Sequence, residues 1–261
     1  IDSTLFGLSK QGVFNIKNNE INFINNDPNV RTLDVYDENN IVIGANNGIH
    51  ILSKHNNNWR YKCNIQNFKA TSRYLKVDKF KNIWITDKDK AVFKLNLDEN
   101  LDSITSITVF DSSNVAGLPD YKENYVFKID NEIVLATPKG VYKYNYENEI
   151  FVPFEEINKV IKNCNVTMIY EDNKGNIWLK LVENEIKKRQ KVKVWNLVKL
   201  EKKENNDYVL VKNIFKKFQN NIYSFAQYND SLYLIGNKKG FTIFNSNINQ
   251  LLLKPFERAI A

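Results

Sequence analysis

Apolar and polar residues alternate along many short stretches of this chain with a period of two, not 3.6. Val141-Tyr142-Lys143-Tyr144 and the stretch from Lys191 to Leu197 show it clearly. The stretches are short, rich in β-branched and aromatic residues, and broken by Asn, Asp and Gly. That pattern belongs to hairpin-linked strands. One segment reads differently: between Glu155 and Lys162, Val160 and Ile161 are spaced to pack down as a single short helix.

The strands fall into a repeat. Stretches beginning at Asn29, Ser72, Asn124, Asn165 and Asn221 share one grammar. A short alternating strand runs into an acidic turn around Asp37, Asp78, Asp130, Asp172 or Asp230. An apolar strand follows, with Trp84, Trp178 or Tyr233 at its centre. A turn Gly comes next (Gly12, Gly48, Gly140, Gly240), because such turns need a positive φ that a β-carbon disfavours; Lys90 takes its place in one unit. The opening Leu5–Ile16 reads as the second half of one more unit.

The ends of the second strands are Leu8, Gly44, Thr86, Ala136, Lys180 and Gly236, at intervals of 36, 42, 50, 44 and 56 residues. Repeats of about 40–50 residues with several strands each indicate a β-propeller. The expectation is an all-β chain: a propeller of about six four-stranded blades, with repeats near 1–28, 29–70, 71–122, 123–163, 164–219 and 220–261. With 25 residues after Gly236 and 8 up to Leu8, a closing interval of 33 suits a sixth blade. The opening segment would then complete the last blade beside the strands from Ser231 to Phe244. A partial ring cut from a longer array is the rival.

Composition narrows the class. With 261 residues, 43% of them hydrophobic, the chain can bury a sizeable core. No apolar run approaches the ~18 residues of a membrane-spanning helix. Residues Ile1 to Phe14 lack the form of a secretion signal, so the chain is either cytoplasmic or accompanied by a signal and anchor outside this sequence. Cys63 and Cys164 suit free buried thiols better than a disulfide. The only histidines, His50 and His55, are too few for a structural zinc site or for His-based chemistry. Lying between Ile49 and Ile51 on an alternating strand, His50 reads as exposed.

The 37 basic against 30 acidic residues are spread along the chain, which describes a solvated basic surface. The charge-rich segment 182–206 reads as an extended outer hairpin. Acidic residues interleave there, so nucleic-acid binding is not expected. Carboxylate pairs such as Glu155-Glu156 or Asp120 with Glu123 are too common to assign chemistry. No phosphate loop, metal helix or nucleophile elbow is present, so no catalytic residue, metal or cofactor is expected.

Repeated residues are read structurally. Trp84 and Trp178 occupy one repeat position and suit packing between blades, and the turn Asp residues suit side-chain-to-backbone bonding. Trp59 and Trp195 fall outside the register; Trp59 is freer to act, whereas Trp195 suits an outer-strand core.

The stretch Glu171-Asp172-Asn173-Lys174-Gly175-Asn176-Ile177-Trp178-Leu179 resembles the two-component regulator propeller repeat. Val77-Asp78 with Asn82-Ile83-Trp84-Ile85-Thr86 is similar to it without the turn Gly, and Ile41–Gly44 with Gly48 supplies the strand and turn without Trp. Gly117-Leu118-Pro119 resembles the family's connector between blades. The resemblance implies a non-catalytic sensor propeller on the periplasmic or extracellular side of a bacterial membrane protein, a histidine kinase or hybrid regulator. It implies an oligosaccharide or other small ligand, a homodimer in the intact receptor, and membrane anchoring only through segments outside this chain. An interaction platform without a small ligand, or a propeller enzyme acting on polysaccharides, are the alternatives.

A ligand is expected where the loops leading into the first strands meet the turns joining second and third strands. Those positions are Arg31, Arg73, Tyr74, Asn124, Tyr125, Asn165, Asn221 and Tyr223. They mix guanidinium, amide and aromatic groups suited to sugar hydroxyls or carboxylates, with Arg31, Arg73 and Tyr125 the stronger candidates.

Overall fold

The computed structural model describes residues 4–17, 20–65, 67–87, 90–162, 164–187, 190–211, 222–237, 240–246 and 250–251. It is an all-β propeller built from six small sheets whose strands neighbour one another in chain order. The first sheet holds β1 (Leu5–Ser9), β2 (Gly12–Lys17) and β3 (Glu20–Asn25). The second holds β4 (Val30–Asp37), β5 (Asn40–Ala45), β6 (Gly48–His55) and β7 (Asn58–Asn64). The third holds β8 (Tyr74–Val77), β9 (Ile83–Asp87), β10 (Ala91–Leu97) and β11 (Ile104–Phe110). The fourth comprises β12 (Tyr125–Ile129), β13 (Glu132–Thr137), β14 (Gly140–Asn145) and β15 (Ile150–Pro153), followed by helix α1 (Glu155–Ile161). The fifth comprises β16 (Asn165–Glu171), β17 (Ile177–Lys187), β18 (Gln190–Lys202) and β19 (Tyr208–Val211). The sixth comprises β20 (Ser224–Gln227), β21 (Leu232–Asn237), β22 (Gly240–Asn245) and β23 (Gln250–Leu251). Among the described residues no helix is long and apolar enough to cross a membrane.

Two compact units are distinguishable. One spans Ile1–Phe127, Asn131–Leu135 and Tyr144–Val152; the other spans Lys128–Asp130, Ala136–Lys143 and Pro153–Ala261.

In the first unit, strand alternation sends two sets of side chains to opposite faces of the second sheet. Ile41, Ile43, Leu52 and Trp59 pack with Val13, whereas Val42, Ile49 and Ile51 pack with Leu75, Ile83 and Ile85 of the third sheet. Trp59 is thus a core residue, edge-on to Phe6 at 5.2 Å, and not the freer group its position suggested. Trp84 is fully buried against Phe110, Tyr144 and Phe151. In the second unit Trp178 takes the equivalent place against Phe225 and Tyr233, so both repeated tryptophans do pack between sheets.

The turn carboxylates explain why an Asp precedes Trp84 and Trp178 by six residues. Asp78 Oδ1 accepts from the Phe80 and Asn82 amides, and its Oδ2 accepts from Asn82 Nδ2, Trp84 Nε1 and the Tyr146 hydroxyl. Asp172 does the same for Lys174, Asn176, Trp178 and Tyr233. Two turns depart from the expected pattern. Asn229, not Asp230, accepts the turn amides of Ser231 and Leu232. Asp130 sits at φ 51 and engages Lys202 at 3.2 Å.

Three further expectations need correction. Among the described residues, the opening strands β1 and β2 form their own sheet with β3 and do not join β21 and β22. His50 is buried, 4% exposed, because the loop before β4 and the outer strand β7 cover it: its Nε2 lies 3.4 Å from Asp27 Oδ2 and its Nδ1 3.2 Å from the Tyr61 hydroxyl. The long hairpin of the fifth sheet is made by its second and third strands, β17 and β18, which stay paired out to Lys187 and Gln190, whereas β19 pairs only as far as Lys199. Trp195 lies on β18 opposite Val182; its side chain lies outside the described residues. Cys63 is a thiol whose Sγ donates to the Leu101 carbonyl.

Candidate functional site

Strand register brings each first strand's opening residues to the same end of the sheet as the turn between its second and third strands. Val30 pairs with Ala45, which pairs with Gly48 across that turn. Tyr74 likewise pairs with Thr86, next to the turn at Asp87. Ser224 pairs with Gly236 near the end of β21, whereas Asn165 pairs with Val182 and the hairpin of β17 and β18 runs on beyond it to Lys187 and Gln190.

In the first unit this geometry assembles a polar and aromatic cluster between β8 of the third sheet and β12 of the fourth. Tyr74 is half-buried, its ring 4.8 Å from that of Tyr125 and 6.1 Å from Phe127, both edge-on. Burial raises the Tyr74 hydroxyl's pKa, with the adjacent Arg73 guanidinium working against it, so the phenol stays a neutral donor at neutral pH. Arg73 is exposed beside it. Two buried polar residues neighbour them, Thr86 as the cross-strand partner of Tyr74 and Asn124 as the residue before Tyr125, at 1% and 2% exposure. Asn124 Nδ2 donates to the Asp120 carbonyl, but Asn124 Oδ1 and Thr86 Oγ1 have no hydrogen-bond partner among the described residues. Buried hydroxyls and amide carbonyls nearly always find a partner, and leaving one unmet costs about 1–3 kcal/mol.

The loop carrying these residues is pinned from the second sheet. Ser72 is fully buried and its amide donates to the Ala45 carbonyl at 2.9 Å. Gly44 is required there, since a β-carbon would stand 2.3 Å from the Ser72 carbonyl oxygen. Two residues on from Gly44, Asn46 Oδ1 accepts from Arg31 Nε at 3.0 Å, while Arg31 Nη1 donates to the carbonyls of Pro28 and Val30. Arg31 therefore ties its own loop together, whereas Arg73 is exposed.

Of the other sequence-derived positions, Asn165 is half-buried at the start of β16 and Tyr223 is 63% exposed before β20, both in the second unit. Asn221 lies outside the described residues. Thr86 is the group that sequence reasoning missed. A Thr closing an apolar strand reads as an ordinary strand residue, and only its burial without a partner marks it.

At the level of sequence, no family model and no curated protein matches the chain. Solved structures do match its fold. The extracellular domain of BT4673 from B. thetaiotaomicron, assigned to a hybrid two component system, superposes with a TM-score of 0.65 at 17% identity, over 98% of this chain and 32% of that one. The corresponding domain of BT3049 from the same organism gives 0.59 at 12% identity, over 99% and 35%. Virginiamycin B lyase from Staphylococcus aureus gives 0.56 at 11% identity, over 98% and 84%. The chain thus spans about a third of the length of the two extracellular domains. At these identities the likeness is one of fold.

Proposed function

We propose that this chain is the sensor propeller of a two-component signalling protein, non-catalytic and on the outer side of a bacterial membrane, and that it binds a carbohydrate at the mouth formed by Arg73, Tyr74 and Tyr125. The observation that carries the reading is the pairing of two half-buried tyrosine rings with two buried, unpartnered polar atoms on Thr86 and Asn124. Sugar rings offer an apolar C–H face for aromatic rings and hydroxyls that both donate and accept. A Thr hydroxyl supplies a donor, an Asn carbonyl an acceptor, and an arginine fork binds vicinal hydroxyls or a carboxylate. The repeat grammar and the fold shared with the extracellular domains of BT4673 and BT3049 support the sensor role. In this reading the chain is one part of a longer receptor that pairs as a homodimer and is anchored by other segments.

The test is thermal unfolding with a panel of neutral and acidic oligosaccharides. A ligand selective for the native state at about 100 times its Kd stabilises by about 2.7 kcal/mol. The expected result is a saturable rise in Tm with at least one glycan, lost in the Tyr74→Ala, Tyr125→Ala double variant. No shift across the panel, or a shift that survives in the double variant, overturns the assignment. Appearance of a cleaved glycan product would show an enzyme instead.

A further inference from the structure

We propose a second binding site, for a small ligand bearing an oxyanion group, in the basic cavity on strands β6 and β7, apart from the mouth at Tyr74 and Tyr125. The cavity measures about 450 Å3, within the size range of small-ligand sites. Its lining includes Lys54, His55, Arg60 and Lys62 and no carboxylate; the remainder is Asn, Ser and Tyr.

Local structure holds these groups together. Asn56 and Asn57 at φ 46 and 61 make the tight turn that sets His55 opposite Asn58. Asn40, Ser53 and Arg60 are in register across β5, β6 and β7, forming one cross-strand row. Ser53 Oγ donates to Asn40 Oδ1 at 2.6 Å, and Asn40 Nδ2 donates to Asp37 Oδ1 at 2.9 Å. The row's neutral groups are thereby satisfied, and the carboxylate beside it is engaged. Lys62 is the extra residue of a bulge in β7, and its ammonium donates to the Asn100 carbonyl.

Among the described residues, the side chains of Arg60 and His55 have no hydrogen-bond or ion-pair partner. Basic groups gathered on one cavity wall raise the local positive potential, which concentrates anions there. The planar guanidinium of Arg60 offers two parallel N–H donors matched to phosphate, sulfate or carboxylate, and the Lys62 ammonium adds a point charge that neutral hydroxyls would not require.

The experiment is calorimetric titration with inorganic phosphate and sulfate, against chloride at equal ionic strength, and with glucuronate and glucose 6-phosphate as sugar-borne oxyanions. Saturable binding of at least one is expected, weakened about tenfold or more in the Arg60→Gln, Lys62→Gln double variant and unchanged in Lys139→Gln. Binding by the simple ions supports a free oxyanion ligand; binding by the sugar-borne ones alone supports a ligand whose ring also contacts the cavity. Failure of all four to bind, or undiminished binding in the double variant, overturns the proposal. Because both residues are exposed, the double variant should unfold at the parent's Tm. Should it not, Arg60→Lys, which keeps the charge and loses the fork, must still weaken binding. The Tyr74→Ala, Tyr125→Ala variant should bind these anions as the parent does, which separates this site from the carbohydrate mouth.

Discussion

The carboxylates of Asp78 and Asp172 each serve a tight turn, a buried tryptophan and a tyrosine of the neighbouring sheet through two oxygens. Charged acceptors make the stronger class of hydrogen bond, and their removal strands buried donors. For Asp172→Ala, Trp178 Nε1, the Tyr233 hydroxyl and the Asn176 amide all lose their acceptor. The expected cost is about 3 kcal/mol or more, read from urea unfolding followed by tryptophan fluorescence. A loss under about 1 kcal/mol would mean that these bonds are dispensable. Burial pushes the Tyr233 hydroxyl's pKa up, and the adjacent Asp172 charge adds to it, so the phenol remains a donor throughout the pH range of stability. The Asp-to-Trp spacing is visible in the sequence as a repeated motif. Its chemistry is not, since nothing in the spacing says that the indole N–H turns back to the turn that precedes it.

Sheet four shows a helix residue completing a strand edge. Beyond the short β15, Val141 of β14 is paired by α1 and the residue before it: Asn158 Oδ1 accepts from Val141 N and Asn158 Nδ2 donates to Val141 O, both at 2.8 Å, and Val141 O also accepts from Phe154 N at 2.9 Å. Asn is a poor helix former, and here tertiary bonding outweighs propensity. The arrangement also fixes Gly140, at φ 114, whose β-carbon would stand 2.5 Å from Asn158 Oδ1. Asn158→Leu leaves a buried N–H unmet and should cost about 2–4 kcal/mol, with Gly140→Ala costing at least about 1 kcal/mol through strain and collision. Thermal unfolding of both variants checks this; a Tm equal to the parent's in Asn158→Leu would refute the pairing. The helix is legible from its apolar residues, but its packing is only half so: Ile161 is buried as expected, whereas Ile157 is buried in place of Val160, which is half-buried. Asn158 is not legible, because its partner lies 17 residues back in the chain and an Asn there reads as a surface residue.

Over the whole molecule, period-two alternation and turn residues reveal the sheets, whereas coverage of a given face depends on contacts between segments. Arg73, Tyr74 and Tyr125 could be read from their common repeat position. Arg31 shares that position, yet it is drawn into its own loop by a partner on another turn. His50 illustrates the same limit: alternation gives its face, but only the folded chain shows the loop at Asp27 closing over it. That burial has a measurable consequence. Burial pushes the imidazole pKa below its ordinary 6.5, and the nearby Asp27 carboxylate offsets this only partly. The unfolded chain therefore takes up a proton near pH 6.5 and the folded chain only at lower pH, so His50 costs no stability above that value and progressively more below it. Asp172 acts in a lower window. Burial alone would raise its pKa, but bonds from Trp178, Asn176 and Tyr233 prevail and hold it below the ordinary 3.8. Its contribution is present above that value and is lost as pH falls through the folded pKa. Stability should thus decline in two acid steps, one beginning near pH 6.5 and one below about pH 4. Urea midpoints measured from about pH 8 to about pH 3 test the profile. His50→Gln should flatten the first step and leave the second; a parent protein whose midpoint is unchanged between about pH 7 and pH 5 would contradict the buried, neutral His50.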